Sequence, residues 1–223
     1  MLPFEPNIEM LRQWMIRGLV LMTCLPVHEF AHAVVADKLG DKTARNQGRL
    51  TINPFAHLEI FGSLMLIFAG VGWAKPVPVN PGRFKNPKWG MALTAAAGPI
   101  SNILLAIIFA SAFIVVAYTG SFHPTHDIFF ALELMIIVNL TLAVFNLLPV
   151  PPLDGSRIIG VVLPDHIYFG VMKYERFIMI AVIILVFTGM LTGVLFFLVG
   201  HMFRFVVFVT RPVELLMERI IYG

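Results

Sequence analysis

The sequence predicts an all-α polytopic membrane protein. It reads as a bundle of four to five transmembrane helices with a small cytosolic β-hairpin or sheet and a re-entrant segment. Three observations lead there. Of 223 residues, 58% are hydrophobic and only 13% charged, with mean hydropathy +0.86; a soluble domain carries about 25% charge. The apolar residues gather into stretches near the roughly 20 residues that a bilayer-crossing helix needs. The basic residues fall mostly between those stretches. Such a composition excludes an ordinary cytosolic globule and a disordered chain. The one cysteine, Cys24, excludes an intrachain disulfide and a cysteine zinc cluster. A net charge of +3, scattered between apolar runs, is no nucleic-acid footprint.

The first span is expected at about 13–35, interrupted by Arg17, His28, Glu29 and His32. Segment 38–90 is not a simple loop. Gly48 to Pro54 reads as a short strand ended by a turn. Gly62 to Val71 is apolar but too short to cross, which suits a re-entrant piece. Gly72 to Pro81 alternates and is rich in proline, as an edge strand or extended loop is. The second span, 91–118, has no charge, and the third, 128–148, has Glu133 near its start. A fourth is expected at 171–190, ended by a turn near Thr188-Gly189 and Thr192-Gly193. A fifth apolar element covers 194–216, where Arg204, Arg211 and Pro212 allow either a crossing or an interfacial helix.

Lys and Arg set the orientation. Segment 38–90 holds eight, 149–176 holds three and 119–127 none. The first two are expected in the cytosol, and 119–127 and the N-terminus outside. The N-terminus, with Glu5 and Glu9 and no basic start, does not read as a signal peptide. No internal repeat appears, and 1–223 reads as a single domain.

The chemistry lies in His28-Glu29-Phe30-Ala31-His32, an HExxH sequence. On a helix, residues i and i+4 share a face, so both imidazoles can ligate one zinc while Glu29 reaches a water on the metal. Ionisable groups inside a membrane helix cost roughly 2.5–3.5 kcal/mol each on insertion scales, and three sit here within five residues. Zinc wants a third protein ligand and an open fourth position. The best candidate is Asp154, in Asn146-Leu147-Leu148-Pro149-Val150-Pro151-Pro152-Leu153-Asp154-Gly155. The prolines stop the third helix and force extended backbone, which could bring Asp154 to the histidines. The alternative is that Asp154 caps a following helix.

His-Glu-Phe-Ala-His in a first span, followed by Asn-x-x-Pro-x-Pro-x-Leu-Asp-Gly closing a later one, resembles the site-2 protease family of intramembrane zinc metalloproteases. Gly48 to His57, Gly72 to Pro81 and Gly98-Pro99-Ile100-Ser101-Asn102 are similar to its compact prokaryotic branch, without PDZ or CBS domains. The resemblance covers roughly Pro26 to Arg157. It implies one zinc per chain held by His28, His32 and Asp154, with Glu29 as catalytic base and Asn146 holding substrate or oxyanion. It also implies a transmembrane protein or peptide as substrate, cleaved in regulated intramembrane proteolysis. The setting it implies is a multi-pass protein of the cell membrane with its site near the cytosolic side.

Other polar residues read more plainly. Asn139 suits a helix–helix hydrogen bond, Cys24 a small buried group and His57 loop packing. His123, His126 and Asp127 suit a solvated loop, and Glu133 a snorkelling or paired carboxylate near the outer interface. Gly98, Ser101 and Ala95–Ala97 permit close helix approach. A substrate must unwind before attack, and Arg49–Asn53 or Ala74–Asn80 could offer an edge to the extended strand. The competing readings are a membrane metal-ion transporter, a proteolytically silent membrane-binding protein, and a membrane HExxH protease with Glu59 or Glu175 as third ligand. Substrate identity and oligomeric state are left open.

Overall fold

The computed structural model describes residues 8–69, 74–120 and 127–223, and among them every regular element is helical. The helices are α1 (Ile8–Lys38), α2 (Thr43–Asn46), α3 (Ile60–Ala69), α4 (Pro87–Thr119), α5 (Asp127–Leu147), α6 (Asp154–Ile159), α7 (Asp165–Met172), α8 (Glu175–Phe187) and α9 (Thr192–Tyr222). Glu5, Gly72, Trp73, His123 and His126, weighed in the sequence, lie outside the described residues.

Four helices are long and apolar enough to cross a membrane: α1, α4, α5 and α9. The 21 residues of α5 rise about 31 Å, which matches a hydrocarbon layer of about 30 Å. The stretch expected as a span at 171–190 is not one helix. It is broken after Met172, and its longest piece, α8, has 13 residues and rises only about 20 Å. The fourth long helix, over 192–222, takes in the fifth element expected at 194–216 and runs unbroken through Pro212. The turn expected near 188–189 is present: Gly189 takes φ 74°, a left-handed conformation that glycine adopts at no steric cost.

Helix α4 is the hub, touching α1, α5, α6 and α9. Its small residues explain this. Ala106 and Ala110 let α5 and α9 close around a core completed by Ile136, Leu140 and Val206. The Tyr118 hydroxyl donates to Glu218 Oε1 at 3.1 Å and its ring meets Tyr222, so α9 runs parallel to α4. Arg12 pairs with Asp127 at 2.5 Å and lies over the Phe130 ring, tying the start of α1 to that of α5.

Helix α3 lies along α1 and runs against it. The Arg17 guanidinium donates to the carbonyls of Ile67 and Phe68 at its C-terminal end, where a cation also complements the helix dipole. Phe68 meets Trp14 edge-on, with centroids 5.1 Å apart. At the root of this excursion, the Lys75 amide donates to the His57 carbonyl at 2.8 Å. The described ends of this excursion, His57 and Lys75, therefore lie together.

The expected β-hairpin is corrected: neither 48–54 nor 74–80 forms a strand. The donors that a ladder would need are spent elsewhere. The Arg49 amide goes to Ala44 O and the Lys75 amide to His57 O. The Val77 amide goes to Glu29 Oε2 and the Asn80 amide to Asp41 Oδ2. Pro76 and Pro78 have no N–H to give. The Arg49 side chain, 7% exposed, binds the carbonyls of Lys75 and Pro76 at 2.5 and 3.3 Å, and His57 Nε2 binds Thr51 O at 2.7 Å. Residues 74–80 are thus an extended strap clamped by side chains.

Candidate metal centre

His28 and His32 lie one turn apart on the face of α1 that packs against α4, and both are buried. Their Nε2 atoms are 3.1 Å apart. Asp154 opens α6, and its Oδ2 lies 3.3 Å from each Nε2. The helix-cap reading of Asp154 fails, because the cap residue is Leu153 and its side chain makes no capping bond. The carboxylate turns to the imidazoles instead. Burial pushes the Asp154 carboxyl up, but hydrogen bonds and charge from His28 and His32 outweigh this and hold it at about 2.

The three atoms fit a zinc ion. With ligands about 2.0–2.1 Å from the metal, a tetrahedral site has edges of about 3.3–3.4 Å, close to the 3.1–3.3 Å found. They are also the only group of three or more such side chains able to share a metal among the described residues. Three protein ligands leave a fourth position open, as a catalytic site needs. Glu59 and Glu175 do not join them. Glu59 accepts from the Gly62 amide, and Glu175 pairs with Arg157.

Two glycines let the parts meet. A Cβ on Gly98 would lie 2.5 Å from Cε1 of both His28 and His32, so α4 passes the imidazoles with bare backbone. A Cβ on Gly155 would lie 2.3 Å from Leu147 O and 2.4 Å from Leu148 O, so only glycine lets the proline-rich turn fold back over the end of α5.

The outer ring nitrogens are held as well. His32 Nδ1 lies 2.7 Å from Thr94 O and His28 Nδ1 lies 2.5 Å from Asn102 Oδ1. Such partners fix ring orientation and raise ligand basicity. Asn102 was not singled out as a functional residue from the sequence; the available signal is an amide in a charge-free apolar span.

A cavity of about 590 Å³ opens onto the group, lined by His28, Glu29, His32, Val77, Asn146 and Asp154 among others. Glu29 enters it with Oε2 held by the Val77 amide at 2.9 Å. Asn146 lines it too, its Nδ2 donating to Leu142 O at 3.0 Å. A larger apolar cavity of about 730 Å³ lies between α4, α5 and α9; it is lined by Glu133 and carries none of the three converging side chains. Asn139 and Cys24 are buried and bonded to each other, and His57 packs within its loop, as the sequence suggested.

Comparison with known proteins adds an independent view. Residues 111–192 match the family described as Peptidase family M50. The chain is 42% identical over 175 residues to the "Putative zinc metalloprotease YwhC" of Bacillus subtilis, covering 76% of this chain and 79% of that protein. It is 29% identical over 203 residues to the "Putative zinc metalloprotease Rip2" of Mycolicibacterium smegmatis, covering 85% and 73%. It is 26% identical over 165 residues to a zinc metalloprotease of Methanocaldococcus jannaschii, covering 73% and 38%. No solved structure matches the chain.

Proposed function

The chain belongs to peptidase family M50, and from that premise we propose that it is an intramembrane zinc metalloprotease of the site-2 protease kind. On this reading it hydrolyses peptide bonds in or near transmembrane segments of membrane proteins. The observation that supports it best is the convergence of His28, His32 and Asp154 beside Glu29, at the mouth of a cavity. A transporter would instead string polar sites across the bilayer.

Bound by His28, His32 and Asp154, zinc supplies Lewis acidity, acidifying water and polarising the scissile carbonyl. Glu29 is the base: it takes a proton as the water oxygen bonds to the carbonyl carbon, and passes it to the amine as the C–N bond breaks. Val77 aims this carboxylate by holding one of its oxygens. Asn146, at the cavity wall, is assigned to orient the substrate carbonyl or the developing oxyanion. The unwound substrate lies along the strap 74–80, which lines the same cavity. The excursion that leaves after His57 and returns at Lys75 is read as re-entrant from the cytosolic side, and the Lys- and Arg-rich segments support a site near that face of the cell membrane.

Glu29→Gln tests the base. Cleavage of a single-span substrate is expected to fall about 10²–10⁴-fold, with zinc content unchanged by metal analysis. Undiminished cleavage would overturn the mechanism.

A further inference from the structure

The two imidazoles are oriented from behind by different means. His32 Nδ1 faces a backbone carbonyl, which only accepts, so its proton position is settled locally. His28 Nδ1 faces a primary amide, Asn102, which can present either an oxygen or an NH₂ group. Something further must decide which end it shows.

The decision is made two side chains away. Asn139 places its Nδ2 2.7 Å from the Met135 carbonyl and 3.1 Å from Cys24 Sγ. The carbonyl accepts and cannot donate, so the NH₂ end of Asn139 must lie there. Its Oδ1 is left facing Asn102, whose Nδ2 donates to it at 2.9 Å. That turns Asn102 Oδ1 towards His28 Nδ1, at 2.5 Å. The proton of His28 must then sit on Nδ1, and the Nε2 lone pair points to Asp154 and His32. Both asparagines have 0% exposure, so bulk solvent does not reach the links.

We propose that Asn102 and Asn139 are positioning residues for the metal centre. They carry the polarity of the Met135 carbonyl on α5, by way of α4, to His28 on α1, and hold His28 in the tautomer whose Nε2 is free to ligate. This rests on the zinc reading given above and extends it to two residues that never touch the metal. Buried amides in membrane helices also serve as helix–helix glue, so the test must separate orientation from packing.

The full chain in detergent is examined as wild type, Asn102→Leu, Asn102→Asp, Asn139→Leu and His28→Ala. The readouts are the zinc dissociation constant by chelator competition and the absorption spectrum of the cobalt-loaded protein. Asn102→Leu is expected to weaken zinc about 10–100-fold and to alter the cobalt spectrum. Asn102→Asp keeps an acceptor opposite Nδ1–H and is expected to stay within a few-fold of wild type. Asn139→Leu leaves the contact with His28 intact but frees the Asn102 amide to turn, and is expected to weaken zinc as well. A packing role predicts the reverse order, with Leu tolerated and the buried carboxylate not. In zinc-loaded wild type, nitrogen-15 resonances of His28 are expected to place its proton on Nδ1; this needs no variant to fold. Asn102→Leu binding zinc as wild type does while His28→Ala loses it would overturn the relay alone; a proton on Nε2 in the zinc-loaded protein would mean that His28 does not ligate through that atom and would overturn the metal site with it. Full zinc binding by His28→Ala would overturn the metal site itself, and the relay with it.

Discussion

At the scale of the residue, the centre is as much a matter of what is absent as of what is present. Gly98 contributes no atom to the metal, yet a single methyl there would fall 2.5 Å from both rings. Because the neighbours are the working imidazoles, Gly98→Ala is expected to displace them and weaken zinc about 10–100-fold, as damage around metal ligands does. Chelator competition on the folded variant measures it, and wild-type affinity would refute it. In the sequence this residue was legible as a packing glycine within the Gly98–Asn102 stretch that resembles the family, not as a neighbour of the imidazoles. His28, Glu29, His32 and Asp154 were legible as a candidate centre because local rules suffice: helical spacing sets two, and prolines set the turn that carries the last. Asn102 and Thr94 were not, because their parts depend on which face of α4 meets α1, and that is fixed only in three dimensions.

At the scale of the element, the strap 74–80 departs furthest from expectation. Its alternating pattern suggested a strand, but a strand needs a partner backbone, and here the partners are side chains. Asp41 is one: fully buried, it accepts from the Asn80 amide at 2.6 Å and from both the amide and hydroxyl of Thr43. Burial raises its carboxyl, but these bonds and Arg83 outweigh it and hold the group below the ordinary carboxylate range. A carboxyl lowered in the fold contributes stability above its unfolded value, about 3.9, and loses it as pH falls through the folded value. The melting temperature of wild type minus that of Asp41→Asn is therefore expected to be steady above about pH 5 and to shrink towards acid. A difference that stays constant over that range would refute the tether. The break within the expected fourth span has a related cause. Hydropathy registers that 171–190 is apolar, but the break after Met172 is a backbone event.

At the scale of the whole molecule, α1, α4, α5 and α9 alternate in direction. Both described chain ends then lie on one side, opposite the loop at 38–58. Cys24, the one thiol, is buried, so introduced cysteines can be labelled over a low background. In cells, Gln47→Cys is expected to react only with permeant reagents and Tyr222→Cys with impermeant ones as well. Equal behaviour of the two would overturn the four-crossing arrangement. The class of fold was readable because a bilayer imposes it through composition. The packing and relative direction of the long helices needed the coordinates.

The 31 residues of α9 rise about 46 Å, some 16 Å more than a hydrocarbon layer of about 30 Å can hold. If the layer holds the charge-poor first part of α9, the three turns after Thr210, beside the last turns of α4, would emerge from it. That spur carries Arg211, Glu214, Glu218 and Arg219, with Tyr222 at its tip meeting Tyr118 of α4. The far side of the protein is therefore not flush with the lipid. A molecule approaching from there first meets a short charged post, well removed from the buried imidazoles.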